Sequence, residues 1–318
     1  MKKYVSILLV IMLSFSLCAC GGTVSDDGKL SVVTTIFPEY DWTMNILGDR
    51  AKDAEVTMLL DSGVDLHSYS PSADDLVKIS TCDVFIYVGG ESDEWVKDAL
   101  KSVGNENMIV INLMEVLGDA VREEETVEGM EKDAEEEGET EYDEHIWLSL
   151  RNAGKCCEAI ADKLGEADAA NAAEYAANAG SYTARLNALD DRYADAAANC
   201  SIKTLLFADR FPFRYLADDY GLDYYAAFSG CSAESEASFE TVAFLADKVN
   251  ELGLKTVLTL EGSDSKIALT VIDTAGSDAE IMSMDSMQSV TSEDVKNGAD
   301  YIGIMEKNLE VLTAATGE

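Results

Sequence analysis

Histidine is nearly absent from this chain, with two in 318 residues, His67 and His145. Any site that uses imidazole as a metal ligand or an acid–base group can draw only on those two. Proline is almost as scarce: Pro38, Pro71 and Pro212, set beside 22 unrepeated glycines, exclude collagen-like and proline-rich classes. Positive charge is also short, 23 Lys and Arg against 61 Asp and Glu, for a formal net charge of −38. A chain without a basic footprint cannot displace counterions from phosphates, which excludes nucleic acid as a partner but admits cations. Neither a CxxC pair, an HExxH motif nor a Ser/His/Asp arrangement is visible.

The apolar fraction of 47% is ample for real cores, and the length fits about two domains. Lys2 and Lys3 precede an apolar run, Tyr4 to Leu17, that is too short to span a bilayer but suits a secretory signal. It ends in Leu17-Cys18-Ala19-Cys20-Gly21-Gly22, which resembles a bacterial lipobox. Residues 1–20 are therefore expected to be a lipoprotein signal with Cys20 the lipidated residue, and 21–29 a flexible tether. The mature protein would work outside the cytoplasmic membrane, held there by lipid alone. Cys82, Cys156, Cys157, Cys200 and Cys231 remain. Cys200 and Cys231 could pair in an oxidising compartment, or all five could be free thiols.

Leu30–Phe37, Val84–Val88 and Met108–Leu113 are continuous apolar runs of the kind buried on both faces of a parallel sheet. Helical patterns alternate with them at Tyr40–Leu47, Ser72–Ser80 (with a Ser72-x-x-Asp75 capping box) and Ser92–Lys101. The alternation resumes after residue 200, with strands expected at Thr204–Phe207, Tyr224–Phe228, Thr256–Leu260 and Glu280–Met284. Helices are expected there at Phe213–Tyr220, Phe239–Leu252, Lys266–Thr274 and Ile302–Ala314. The fold class is thus α/β: two βα-repeating lobes, 30–165 and 200–318, with mostly parallel sheets. Between them, from about 166 to 199, Tyr175, Ala179, Tyr182, Leu186, Leu189, Tyr193 and Ala196 recur at spacings of four and three. This predicts one long helix, about 50 Å, joining the lobes as a spine. Residues 122–144 carry 13 acids and two basic residues, and are expected to form a mobile loop rather than a boundary, either a solvated spacer or a weak cation-gathering arm.

Both histidines lie at loop exits. His67 sits in Asp61-Ser62-Gly63-Val64-Asp65-Leu66-His67-Ser68-Tyr69-Ser70-Pro71, between the apolar run Val56–Leu60 and a capped helix, on the usual ligand side of an open sheet. His145 leaves the acidic segment in Asp143-Glu144-His145-Ile146-Trp147-Leu148.

The blocks GVDLHSYSPSADDLVKISTCDVFIYVGG and DEHIWLSLRNA resemble the two first-lobe ligand blocks of zinc/manganese ABC-transporter solute-binding lipoproteins. VVTTIFPEYDWTMNILGD is similar to that family's first strand and helix, and LLFADRFPFRYLADDYGL to the start of its second lobe, so the resemblance covers about residues 30–315. It implies one divalent transition metal held in the cleft between two lobes, with His67 and His145 as ligands. Zn²⁺ is the expected ion, with Mn²⁺ or Fe²⁺ as alternatives. The second lobe departs from the pattern, reading Phe207-Ala208-Asp209-Arg210-Phe211 where zinc members place a His. Asp209 is the nearest oxygen donor, unless it pairs with Arg210 or Arg214. The block beginning Leu260-Glu261-Gly262-Ser263-Asp264 resembles the last ligand loop, making Asp264 or Glu261 the fourth candidate. Glu234 and Glu236 match no ligand position. The function implied is non-enzymatic: a monomeric lipoprotein that captures the ion and hands it to an ABC permease. The alternative is a surface adhesin of the same fold with weakened metal binding.

Overall fold

The computed structural model describes residues 29–101, 103–131, 141–232 and 236–317. The signal, Cys20, nearly all of the tether and Glu234 lie outside them. Among the described residues no helix is long and apolar enough to cross a membrane.

The first lobe alternates β1 (Leu30–Thr34), α1 (Phe37–Leu47), β2 (Ala54–Met58), α2 (Ala73–Thr81), β3 (Val84–Tyr87), α3 (Trp95–Leu100), β4 (Ile109–Asn112) and α4 (Leu113–Leu117). Its four strands are all parallel, in the order β2-β1-β3-β4. Two helices follow, α5 (Leu150–Ala167) and α6 (Ala172–Asn199). The second lobe runs β5 (Thr204–Phe211), α7 (Arg214–Tyr220), β6 (Asp223–Ser229), α8 (Phe239–Leu252), β7 (Thr256–Leu260), α9 (Lys266–Ala275), β8 (Glu280–Met284), α10 (Ser292–Lys296) and α11 (Tyr301–Thr316). Its sheet, also parallel, has the order β6-β5-β7-β8, so each lobe repeats one topology.

Period-two alternation divides β5 between two apolar layers. Leu205 and Phe207 join a core shared with the first lobe, while Leu206 and Ala208 pack outward with Val242, Leu245 and Val249 of α8 and Val271 of α9. The inner core is continuous across the lobes, from Val32 and Phe85 to Leu258 and Met305. Polar ties cross the same junction. The Tyr301 ring meets Trp42 edge-on at 5.3 Å, its hydroxyl donates to the Trp147 carbonyl at 2.5 Å, and Trp147 Nε1 donates to the Ser286 carbonyl at 2.8 Å.

The apolar stripe expected on the long helix is the buried face of α6. Its first half meets the first lobe, where Asn178 donates to the Ile46 carbonyl at 2.9 Å and Tyr182 donates to Asp41 at 2.9 Å. Its second half meets the other lobe, where Tyr193 donates to the Met305 carbonyl at 2.6 Å and stacks on Tyr220. The helix starts at Ala172, later than the expected 166, because the Asp168 carboxylate accepts from Asn171 at 2.6 Å and from the Tyr175 hydroxyl at 2.7 Å, closing a turn. α5 was not expected. Ser149 caps it, and Ala153, Cys156, Cys157, Ile160 and Leu164 bury one face. The five cysteines among the described residues are free thiols, so Cys200 and Cys231 do not pair. The described ends of the acidic segment are paired to each other rather than loose. Glu123 and Tyr142 form an antiparallel bridge, Glu124 N–H donates to the Glu141 carbonyl at 2.9 Å, and Tyr215 Oη bridges Arg122 N–H and the Asp143 carbonyl.

Burial pushes the Asp41 carboxyl up to about 6, despite the opposing hydrogen bond from Tyr182. A carboxyl raised above its unfolded value of about 3.9 stabilises the fold while protonated, and that contribution is lost as pH rises through about 6. Asp41→Asn retains an acceptor for Tyr182 and removes the ionisation. Relative to the parent protein, its stability to denaturant should therefore rise by about 2–3 kcal/mol between about pH 4 and about pH 7. A difference that does not change with pH would contradict this.

Candidate metal centre

His67 is set by the loop that leaves β2. Leu66 is buried beneath it, and the Asp65 carboxylate accepts the His67 backbone N–H at 3.0 Å, fixing a single 3₁₀ turn over Leu66–Ser68. The other oxygen of Asp65 accepts from Arg210 of β5 at 2.7 Å, so the loop is also tied to the opposite lobe. His67 Nδ1 lies 2.8 Å from Ser92 Oγ, in the loop after β3, and 3.6 Å from Glu144 Oε2.

His145 precedes a 3₁₀ turn at Ile146–Leu148 that leads into α5, and it is fully buried. One oxygen of Asp143 accepts both the His145 backbone N–H at 2.8 Å and Nδ1–H at 2.9 Å. A carboxylate only accepts, which places a proton on Nδ1 and, in the neutral ring, leaves Nε2 as a lone pair. At His67, the Glu144 carboxylate near Nδ1 favours the same tautomer, while the Ser92 hydroxyl can donate or accept. The two Nε2 atoms face each other at 3.2 Å.

Two imidazole lone pairs at that separation repel unless a proton or a cation lies between them. Zinc–nitrogen bonds of about 2.0–2.1 Å at the tetrahedral angle place two nitrogens about 3.3–3.4 Å apart, so the pair is already at ligand spacing. Burial, then the neighbouring His145, holds the His67 imidazole well below its usual range, keeping it neutral. Burial opposes charge on His145 too, but Asp143 and Glu144 outweigh it and raise the ring's pKa. Burial likewise raises Glu144 and Glu124.

Among the described residues, one group of His, Cys, Asp and Glu side chains has mutual ligand-atom distances within 4.8 Å: His67, His145 and Cys231. Cys231 was read in the sequence as a possible disulfide partner or a free thiol, not as a ligand. It lies just beyond the end of β6, with its N–H donating to Glu124 at 2.9 Å. Burial raises its thiol pKa well above the ordinary range, and Glu124 adds to the shift. His67 and Cys231 border a cavity of about 220 Å³ lined also by Glu124, Tyr142 and Glu144.

The second-lobe carboxylates singled out in the sequence are engaged elsewhere. Asp209 accepts from the N–H groups of Arg210 at 2.9 Å and Leu260 at 3.2 Å, while Arg210 itself goes to Asp65. Asp264 pairs with Lys266 at the surface. Glu261 accepts from Ser286 N–H at 2.8 Å and Ser286 Oγ at 2.6 Å. Asp209 and Asp264 do line a larger cleft of about 650 Å³ that reaches His67, with Ala208 and Glu236 also on its wall.

Two parallel-sheet lobes, a helix packed along both and a histidine pair at their junction make a two-lobed α/β protein with its candidate site between the lobes. The chain belongs to the ZnuA family, the periplasmic component A of zinc-uptake complexes, whose model matches residues 32–315. It is 33% identical over its whole length to the zinc-binding lipoprotein AdcA of Streptococcus pneumoniae, and it spans 62% of that relative's length. It is 30% identical to the high-affinity zinc uptake system protein ZnuA of Bacillus subtilis, covering 98% of this chain and 97% of the relative. The crystal structure of the Zn(II)-bound ZnuA-like domain of S. pneumoniae AdcA superposes with a TM-score of 0.72 at 31% identity, over 92% of this chain and all of that one.

A carboxylate that holds a ligating imidazole in place typically contributes 10–100-fold to metal affinity. Asp143→Ala should therefore weaken zinc binding by about 10–100-fold, measured by competition with a chromogenic chelator, with both histidines intact. Unchanged affinity would contradict the assigned role of Asp143.

Proposed function

We propose that this chain is the extracytoplasmic binding component of a zinc importer, a lipoprotein anchored through Cys20 that captures Zn²⁺ between its lobes and delivers it to an ABC permease. The observation that carries this reading is the pair of Nε2 atoms at 3.2 Å, each ring held from behind by a hydrogen bond at Nδ1. His67 and His145 are the proposed first-lobe ligands. Neutral imidazole binds zinc readily and also accepts Mn²⁺ or Fe²⁺, so the histidines alone do not decide the metal. The family and the zinc-named relatives favour zinc. The same evidence argues against the adhesin with weakened metal binding, since the histidine pair is intact and ready-made.

The ion is cargo, so the protein needs reversible binding rather than a reaction. The apolar core shared by the lobes, with the Tyr301–Trp147 and Asp65–Arg210 ties, supports a small adjustment of the cleft on loading rather than a wide hinge motion. Asp209 and Asp264, on the wall of the cleft beside His67, could approach the ion in such an adjustment. Glu261 would first have to leave Ser286. We infer that the protein acts as a monomer.

Calorimetric titration of chelator-stripped protein should give one zinc site tighter than about micromolar, and a ligand at about 1,000 times its Kd should add about 4 kcal/mol of stability. His67→Ala and His145→Ala should each abolish this site and the accompanying thermal shift. Absence of zinc binding by the parent protein, or full binding by either variant, would overturn the reading.

A further inference from the structure

The sequence leaves the second lobe without a histidine, and Ala208 stands where the resemblance calls for one. The structure brings a different donor to the same place. β5 and β6 are adjacent and parallel, with Phe211 in register with Ser229, so the chain leaving β6 emerges beside the loop that leaves β5. Two residues past Ser229 is Cys231, whose sulfur lies within 4.8 Å of a ring nitrogen of both His67 and His145.

We propose that Cys231 is the second lobe's metal ligand, completing a His₂Cys donor set with a thiolate in place of an imidazole. The inference rests on the metal-capture reading above and specifies its chemistry. The approach of this segment is built in at Gly230, where a Cβ would come within 3.0 Å of His145 Cε1, 3.1 Å of its Nδ1 and 3.0 Å of the Phe211 carbonyl. Any side chain there would have to push the imidazole or the Phe211 carbonyl back by a few tenths of an ångström. On the other side, the Cys231 N–H is held by Glu124, a residue from the paired end of the acidic segment. The cysteine is thus fixed between both lobes, next to the two facing nitrogens.

The dimensions fit a small closure. Zinc–sulfur bonds of about 2.3 Å and zinc–nitrogen bonds of about 2.0–2.1 Å at the tetrahedral angle give a sulfur–nitrogen distance of about 3.5 Å. A contraction of roughly 1 Å from the upper bound on the group would bring the thiol into the shell. On loading, the sulfur–proton bond breaks, the proton goes to solvent and the sulfur lone pair forms the bond to the metal. A soft thiolate also supplies what two histidines and carboxylates lack, a strong preference for zinc over manganese. The cleft that Asp209 and Asp264 line also reaches His67.

Cobalt(II) titration of the reduced, full-length protein reads the donor atoms directly. The parent protein should show tetrahedral visible bands together with a near-ultraviolet sulfur-to-cobalt charge-transfer band. Cys231→Ser should lose the charge-transfer band while keeping visible absorption from the histidine-bound ion, and His67→Ala should lose both. Zinc should in addition protect Cys231, and none of the other thiols, from maleimide labelling mapped by mass spectrometry, a measurement that needs no variant to fold. Cobalt binding without a charge-transfer band, or with one that survives in Cys231→Ser, would overturn the thiolate ligand and leave the metal-capture reading standing. No binding of cobalt or zinc by the parent protein would overturn both.

Discussion

The arrangement of this molecule turns on two imidazole Nε2 atoms that face each other at 3.2 Å. The other nitrogen of each ring faces a polar partner, Asp143 for His145, and Ser92 with Glu144 for His67. When both rings are neutral their facing lone pairs repel, and a proton or a cation between them relieves that repulsion. In the proposed function this spacing is preorganisation, because it is set before the ion enters.

What enforces that contact is the fold on a larger scale. Asp65 and His67 come from the loop after β2, Ser92 from the loop after β3, Arg210 from the end of β5 and Cys231 from just beyond β6. Parallel sheets collect loops at one edge, and two sheets of the same topology bring two such edges together. The lobes are not left to find each other, since a single apolar core runs between them and α6 is packed on both. Trp147, two residues after His145, donates to the second lobe at Ser286 and accepts from Tyr301 through its carbonyl. The ligand segment is therefore part of the junction, and a change at one is felt at the other.

Much of this was legible in the sequence because the chemistry is sparse and the periodicity strong. With only two histidines, both at loop exits, the pair that the structure brings face to face could be singled out from composition and position. The strands β7 and β8 and the helix α8 match the sequence reading at both ends, since each is bounded by glycine or polar turns. The spine helix showed its buried stripe but not its start, because the turn at Asp168 depends on Asn171 and Tyr175 side chains that would look equally at home inside a helix. α5 escaped notice because its buried face is made of alanines and cysteines diluted by charged residues. Asp209 stood out in sequence as the nearest oxygen donor, and in the structure its carboxylate accepts from two backbone N–H groups, a pairing that local pattern does not show. Cys231 could not be placed at all, because its proximity to the histidines follows from β5 and β6 being neighbours, a fact of tertiary pairing rather than of local pattern.

The central claim is that the facing imidazoles are a metal site. It is tested most directly by a crystal structure of the zinc-loaded protein with anomalous data collected on both sides of the zinc edge. A single strong peak within bonding distance of Nε2 of both His67 and His145 is the predicted result. A peak held only by carboxylates of the acidic segment, with the two histidines still facing each other and no ion between them, would contradict it.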